Sequence, residues 1–157
     1  MKRIQILSII VIILLSFIST AQKPIHVKTN NYEGYIFSKD PIFPLKASSH
    51  SFIPTSNEIE TMENKISKSI WKLISDYEKE HKYDHCNIQN NLSTYKRHYF
   101  GYVDNGEKII SIYFFNVVPE NWDKGIFMIY DGGCSYFQMR YYMKNDSLDL
   151  RAIGFFP

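Results

Sequence analysis

The chain has 157 residues, with 18 Lys+Arg against 16 Asp+Glu, a length that fits one domain able to bury a core without several disulfides or a metal. Lys2 and Arg3 supply the whole basic surplus, so from Gln22 onward the balance is 16 − 16 = 0. Nucleic acid and anionic membrane surfaces therefore have no electrostatic support as partners.

Lys2 and Arg3 lead an uncharged apolar run from Ile4 to Ile18 that ends in Ser19-Thr20-Ala21. This is the pattern of a secretory leader cleaved after Ala21. As a helix the run spans about 22 Å at ~1.5 Å per residue, short of the ~30 Å hydrocarbon core, so no stable span is expected after cleavage. The chain thus divides into a leader (1–21), a Pro-rich lead-in arm (22–54) and a helix-plus-sheet domain (55–157). The product is expected in the periplasm or outside the cell.

The arm contains Pro24, Pro41, Pro44 and Pro54 among scattered aromatics, with short strands predicted around Gly34–Phe37 and Ile42–Leu45. Thr55-Ser56-Asn57-Glu58 then has the Thr-x-x-Glu spacing of a capping box. The helix it opens is predicted to run to about Lys82. Ile59, Met62, Ile66, Ile70, Leu73 and Tyr77 recur at steps of three and four and form one apolar stripe.

Beyond a polar connection, strands are predicted at Tyr95–Val103, Lys108–Val117, Ile126–Tyr130, Ser135–Met143 and Leu148–Phe155. Asn105-Gly106 between the first two marks a two-residue hairpin turn, which makes opposite residue numbers sum to 211. Arg97 then faces Phe114, Tyr99 faces Ile112 and Gly101 faces Ile110 on one side. His98 with Tyr113, Phe100 with Ser111, and Tyr102 with Ile109 occupy the other. Neither side is plainly polar, so both are expected to be covered, one by the helix and the other by the arm, a second copy, a partner or a ligand. The predicted class is α+β, with one long N-terminal helix on a curved antiparallel meander of four to five strands.

No nucleophile elbow, phosphate loop, paired-carboxylate signature or HExxH motif occurs, so no catalytic residue and no cofactor is assigned. His81, His85 and Cys86 are spaced closely enough for metal ligands, but they fall at the helix end, where the dipole alone accounts for the cations, and no metal is assigned. Cys86 and Cys134 are either a disulfide or two packed thiols. A bridge requires the helix exit to meet the Gly132-Gly133 turn. His98, Phe100, Tyr102, Tyr113 and Trp122 are the candidate binding residues, with the Val117–Lys124 loop beside them. Asp146-Ser147-Leu148 is similar to an Asp-Ser/Thr-aliphatic acceptor pattern for O-glycosylation at Ser147.

The capped helix near Thr55, Tyr-Lys-Arg-His-Tyr-Phe-Gly-Tyr at 95–102, Phe114-Phe115, Trp122 and Asp131-Gly132-Gly133 followed by Tyr136-Phe137 resemble a group of small exported proteins of Gram-negative bacteria. The order of elements is similar to cystatin-like and nuclear-transport-factor-2-like folds, in which a curved antiparallel sheet wraps a helix. The apolar residues on both sheet faces and the missing catalytic signatures point to an exported binding or structural module with a protein or small ligand as partner. Its alternatives are a pocket enzyme or ligand carrier using His98, Tyr113 and Asp131, and an envelope immunity or inhibitor protein. Cystatin inhibitors carry a Gln-x-Val-x-Gly hairpin and a Pro-Trp loop. Here the hairpin reads Asp104-Asn105-Gly106, and Glu120-Asn121 separates Pro119 from Trp122.

Overall fold

The computed structural model describes residues 23–38, 49–81, 86–125 and 132–154. The predicted leader, the Ile42–Leu45 and Ile126–Tyr130 strands, and Asp131 lie outside them. The described strands are β1 (Ile25–Lys28), β2 (Glu33–Phe37), β3 (His50–Phe52), β4 (Lys96–Asp104), β5 (Glu107–Phe115), β6 (Gly133–Tyr142) and β7 (Ser147–Gly154), with one helix, α1 (Ser56–His81), between β3 and β4. Among the described residues no helix is long and apolar enough to cross a membrane.

The α+β class holds, but the sheet is larger than expected and mixed. Its order is β1-β2-β4-β5-β6-β7, with β3 also paired to β4. The antiparallel meander is confined to β4–β7, because the arm, expected outside the sheet, contributes three strands to it. β2 runs parallel to the first half of β4, from Glu33 beside Lys96 to Phe37 beside Phe100, and β3 runs antiparallel to the second half. A parallel pair needs a long crossover, and the segment containing α1 supplies it. Gly34 is required where β2 meets β4, since a Cβ there would overlap the Arg97 carbonyl and the Tyr99 ring.

Local chemistry sets the remaining elements. At the start of α1, Glu58 accepts hydrogen bonds from the Thr55 N–H (2.7 Å) and hydroxyl (3.0 Å), and Thr55 Oγ1 accepts the Glu58 N–H (3.3 Å). Asn105 and Gly106 take φ of 49° and 79°, and β4 pairs with β5 from Lys96–Phe115 to Asp104–Glu107, the predicted register.

Both faces of the sheet are covered. Ile59, Met62, Ile66, Ile70 and Ile74 of α1 pack with Tyr99, Ile110, Ile112, Phe114, Phe137 and Met139 on one face. The buried stripe drifts by steps of four, which leaves Leu73 and Tyr77 only partly buried at its margin. On the other face Phe37, Phe100, Tyr113, Phe115 and Tyr136 form a second cluster, with Tyr35, Tyr102 and Trp122 packed against it.

Candidate functional site

The pairings place one row of side chains across the second face: His26, Tyr35, His98, Tyr113, Gln138 and Ala152, on β1, β2, β4, β5, β6 and β7 in turn. The row passes from exposed His26 and half-exposed Tyr35 to buried His98, Tyr113 and Gln138. His98 is 1% exposed. Its ring lies edge-on to Phe37 at 4.8 Å and to Phe115 at 4.7 Å, and its Nε2–H donates to the Trp122 carbonyl at 2.7 Å. Burial lowers its pKa to about 4, against the opposing effect of that hydrogen bond, so at neutral pH the imidazole is uncharged.

Of the five candidate binding residues, His98, Phe100 and Tyr113 are buried, and Tyr102 and Trp122 are half-exposed. Trp122 packs edge-on to Tyr35 at 4.6 Å, and the Lys96 ammonium sits 5.8 Å from its ring centre. The loop around it is held by a turn in which the Lys124 N–H donates to the Asn121 carbonyl at 2.8 Å, with Asn121 at φ 63°. Val117 and Val118 on the same loop are 69% and 41% exposed.

At the rim of this face Glu33 gathers three basic side chains that sequence reading missed. Lys96 lies 2.6 Å away, and Lys28 and His26 each 3.1 Å. The Lys96 hydrogen bond is the largest cause that lowers the Glu33 pKa to about 2. Nothing local in the sequence announces the Glu33–Lys96 pair, because it depends on the parallel register of β2 and β4.

A second polar arrangement lies under α1. Glu63 falls within the buried stripe of the helix, and Arg97 reaches it from β4 with Nε 2.9 Å from Glu63 Oε1, a contact of charge in which the N–H is not aimed at the oxygen. The Tyr99 hydroxyl donates to the same Oε1 at 2.7 Å. Burial raises the Glu63 pKa, and Arg97 and Tyr99 act against that rise. Arg97 also donates to the carbonyls of Tyr95 and Leu92, which fixes the short 3-10 turn Leu92–Thr94 against the sheet. The sequence held a signal for this pair. Glu63 is four residues after Ile59 and three before Ile66, and the predicted register put Arg97 on the same side of the hairpin as Tyr99.

This pair forms the floor of a cleft of about 270 Å3. Its walls come from the β1–β2 turn, from α1 and from the segment before β4. In that turn Thr29 Oγ1 accepts the N–H groups of Asn31 and Tyr32, both at 3.2 Å. Asn91 braces the third wall, with Nδ2 donating to the Asn87 carbonyl and N–H to that of Ile88, both at 3.0 Å.

Cys86 and Cys134 form a disulfide with Cα atoms 5.3 Å apart, so the segment after α1 does meet the start of β6. Of the candidate metal ligands, Cys86 is thereby committed, His81 Nδ1 hydrogen-bonds the Tyr77 carbonyl at 3.0 Å, and His85 lies outside the described residues. Among the described residues no three His, Cys, Asp or Glu side chains come together as a metal site. Ser147 is the half-buried first residue of β7, and its neighbour Asp146 is engaged by Lys65 at 2.7 Å and by the Tyr141 hydroxyl at 2.9 Å.

No family model, no curated protein and no solved structure matches the chain.

Proposed function

We propose that the protein is an exported, non-enzymatic binding module that engages a protein partner through the Val117–Lys124 loop and the adjoining rim of the aromatic face. The observation that carries this reading is the exposure of adjacent Val117 and Val118 beside half-exposed Trp122, on a loop anchored from below by His98. Single exposed apolar residues are ordinary, but adjacent ones on a fixed loop cost little ordering on association. Export is supported by the disulfide, which persists in oxidising compartments, together with the leader pattern of residues 1–21. A cystatin-like kinship is part of the same proposal. It draws support from a helix followed by the β4–β7 meander, and the parallel β2 strand departs from it.

The pocket-enzyme alternative gains nothing from the described residues, since His98 and Tyr113 are enclosed by packed rings. An immunity or inhibitor protein is one form that the binding module can take. The test places a photo-crosslinking residue at Val117 and, as a control, at Trp71, which is 58% exposed on α1. In cells of the native host, a discrete adduct is expected from position 117 and not from 71, and Val118→Asp should reduce it. Equal adducts from both positions, or none from 117, would defeat the reading.

A further inference from the structure

The cleft above Glu63 and Arg97 is separate from the aromatic face, and its chemistry narrows what it accepts. Arg97 is 1% exposed, its two terminal nitrogens donate to the Tyr95 and Leu92 carbonyls, and its charge is balanced by Glu63 beside Nε. An anion in the cleft would meet a cation that is neutralised and a carboxylate that repels it. A cation would meet Arg97. The electrostatics therefore favour an uncharged occupant.

The walls are built from Asn31, Asn64, Ser67, Gln89, Asn90 and Ser93, all neutral carboxamides and hydroxyls. Such groups both donate and accept, and they approach from three separate segments of chain. Gln89 Oε1 is buried and receives no hydrogen bond. A buried acceptor left unmet is costly, and a donor from an occupant would meet it once the Gln89 side chain turns toward the cleft. Tyr32, whose ring lies 5.9 Å from the Arg97 guanidinium carbon, and Leu92 supply the apolar part of the lining.

At about 270 Å3 the cleft is smaller than a typical drug-sized site of ~300–1,000 Å3. We infer that this cleft binds a neutral polyhydroxylated molecule of monosaccharide size. Hydroxyls directed outward all round a ring match dual donor-acceptor groups on three walls, and the less polar ring face fits Tyr32. An amide or dipeptide presents fewer such groups, confined to one line.

The test is nuclear magnetic resonance titration of the oxidised protein with D-glucose, D-galactose and N-acetyl-D-glucosamine, with inorganic phosphate and glycylglycine as contrasts. At least one sugar should give saturable shifts in the side-chain amides of Asn31, Asn64, Gln89 and Asn90, and the contrasts none. Asn64→Ala and Ser93→Ala alter exposed side chains at the cleft rim, so the fold is expected to stay in place, which an unchanged backbone amide spectrum checks. Each should weaken sugar binding by about tenfold, the value of one good hydrogen bond. No saturable sugar shift at these amides, affinity unchanged in both variants, or preferential binding of phosphate or dipeptide would each overturn the assignment. None of these outcomes bears on crosslinking at Val117, so this inference and the proposed function fail independently.

Discussion

Arg97 and His98 are neighbours on β4 that point to opposite faces of the sheet, and the two faces bury them in different protonation states. On the helix side the Arg97 guanidinium is buried beside a carboxyl group, with Glu63 2.9 Å from its Nε. On the aromatic side His98 is enclosed by Phe37, Phe115 and Trp122 and is buried as the neutral imidazole, with its pKa lowered to about 4. The difference follows from intrinsic acidity. A guanidinium cannot shed its proton at any accessible pH, so burying it requires a partner from another element. An imidazole can be buried by deprotonation alone. The first solution commits α1 to carrying an acid in its apolar stripe, and the second ties a loop to the sheet through one backbone carbonyl.

The largest expected effect breaks the pair. Glu63→Ala leaves Arg97 buried without its counter-charge and removes the acceptor of the Tyr99 hydroxyl. It should cost about 4 kcal/mol in urea denaturation. Glu63→Leu combined with Arg97→Met should recover most of that loss, because apolar replacement of both partners removes the desolvation penalty along with the attraction. A double variant as unstable as the single would show that the donors to Tyr95 and Leu92, and not the charge pair, are what the fold needs.

How far the sequence exposes this contrast depends on the range of each interaction. The Thr55–Glu58 cap, the Asn105-Gly106 turn and the β4–β5 register are set within a few residues, and all are legible. The alternation of a strand then assigns Arg97 and His98 to opposite faces without further information. The disulfide is legible as a condition, since it needs only two segments to meet. The parallel β2–β4 pairing is not. A short strand in a Pro-rich arm carries no signal for which edge it will join, and from that pairing follow the Glu33 cluster, the need for Gly34 and the placement of Asn31 and Tyr32 over Arg97. Glu63 escapes notice because acidic residues in the first turns of a helix are expected from the dipole, which hides the one that points inward.

The aromatic face gives the next largest effect, and its sign can be worked out. The unfolded chain takes a proton on His98 near the ordinary value of 6.5, whereas the folded chain resists until about pH 4. Between these values the unfolded state binds more protons, so stability falls with acidification, by up to about 3 kcal/mol. Glu33, with its folded pKa near 2 against an ordinary 4.5, continues the loss below that window. Glu63, whose pKa is raised by burial, acts in the opposite sense above 4.5. The difference between wild type and His98→Phe in thermal melts from pH 4 to 7 therefore isolates the imidazole. The variant should lose the His98 share of the slope, and an unchanged slope would mean that His98 is not buried neutral.

The smallest expected effect asks whether the two faces respond separately. Thr55 and Glu58 satisfy each other's backbone and side chain at the start of α1, and Glu58 also reaches Lys108 of β5 at 3.4 Å. Thr55→Ala removes the cap acceptor for the Glu58 N–H and should cost about 1 kcal/mol. Because α1 covers only the Arg97 face, the loss should appear as faster amide exchange in the first turn of the helix, around Ile59 and Met62. The chain has two tryptophans, Trp71 on α1 and Trp122 on the aromatic face. In a Trp71→Phe background the fluorescence of Trp122 should therefore be the same with and without the cap. A shift in Trp122 emission on Thr55→Ala would mean that strain at the helix start passes through the sheet, and that the two faces, though they bury charge by different means, form one cooperative core.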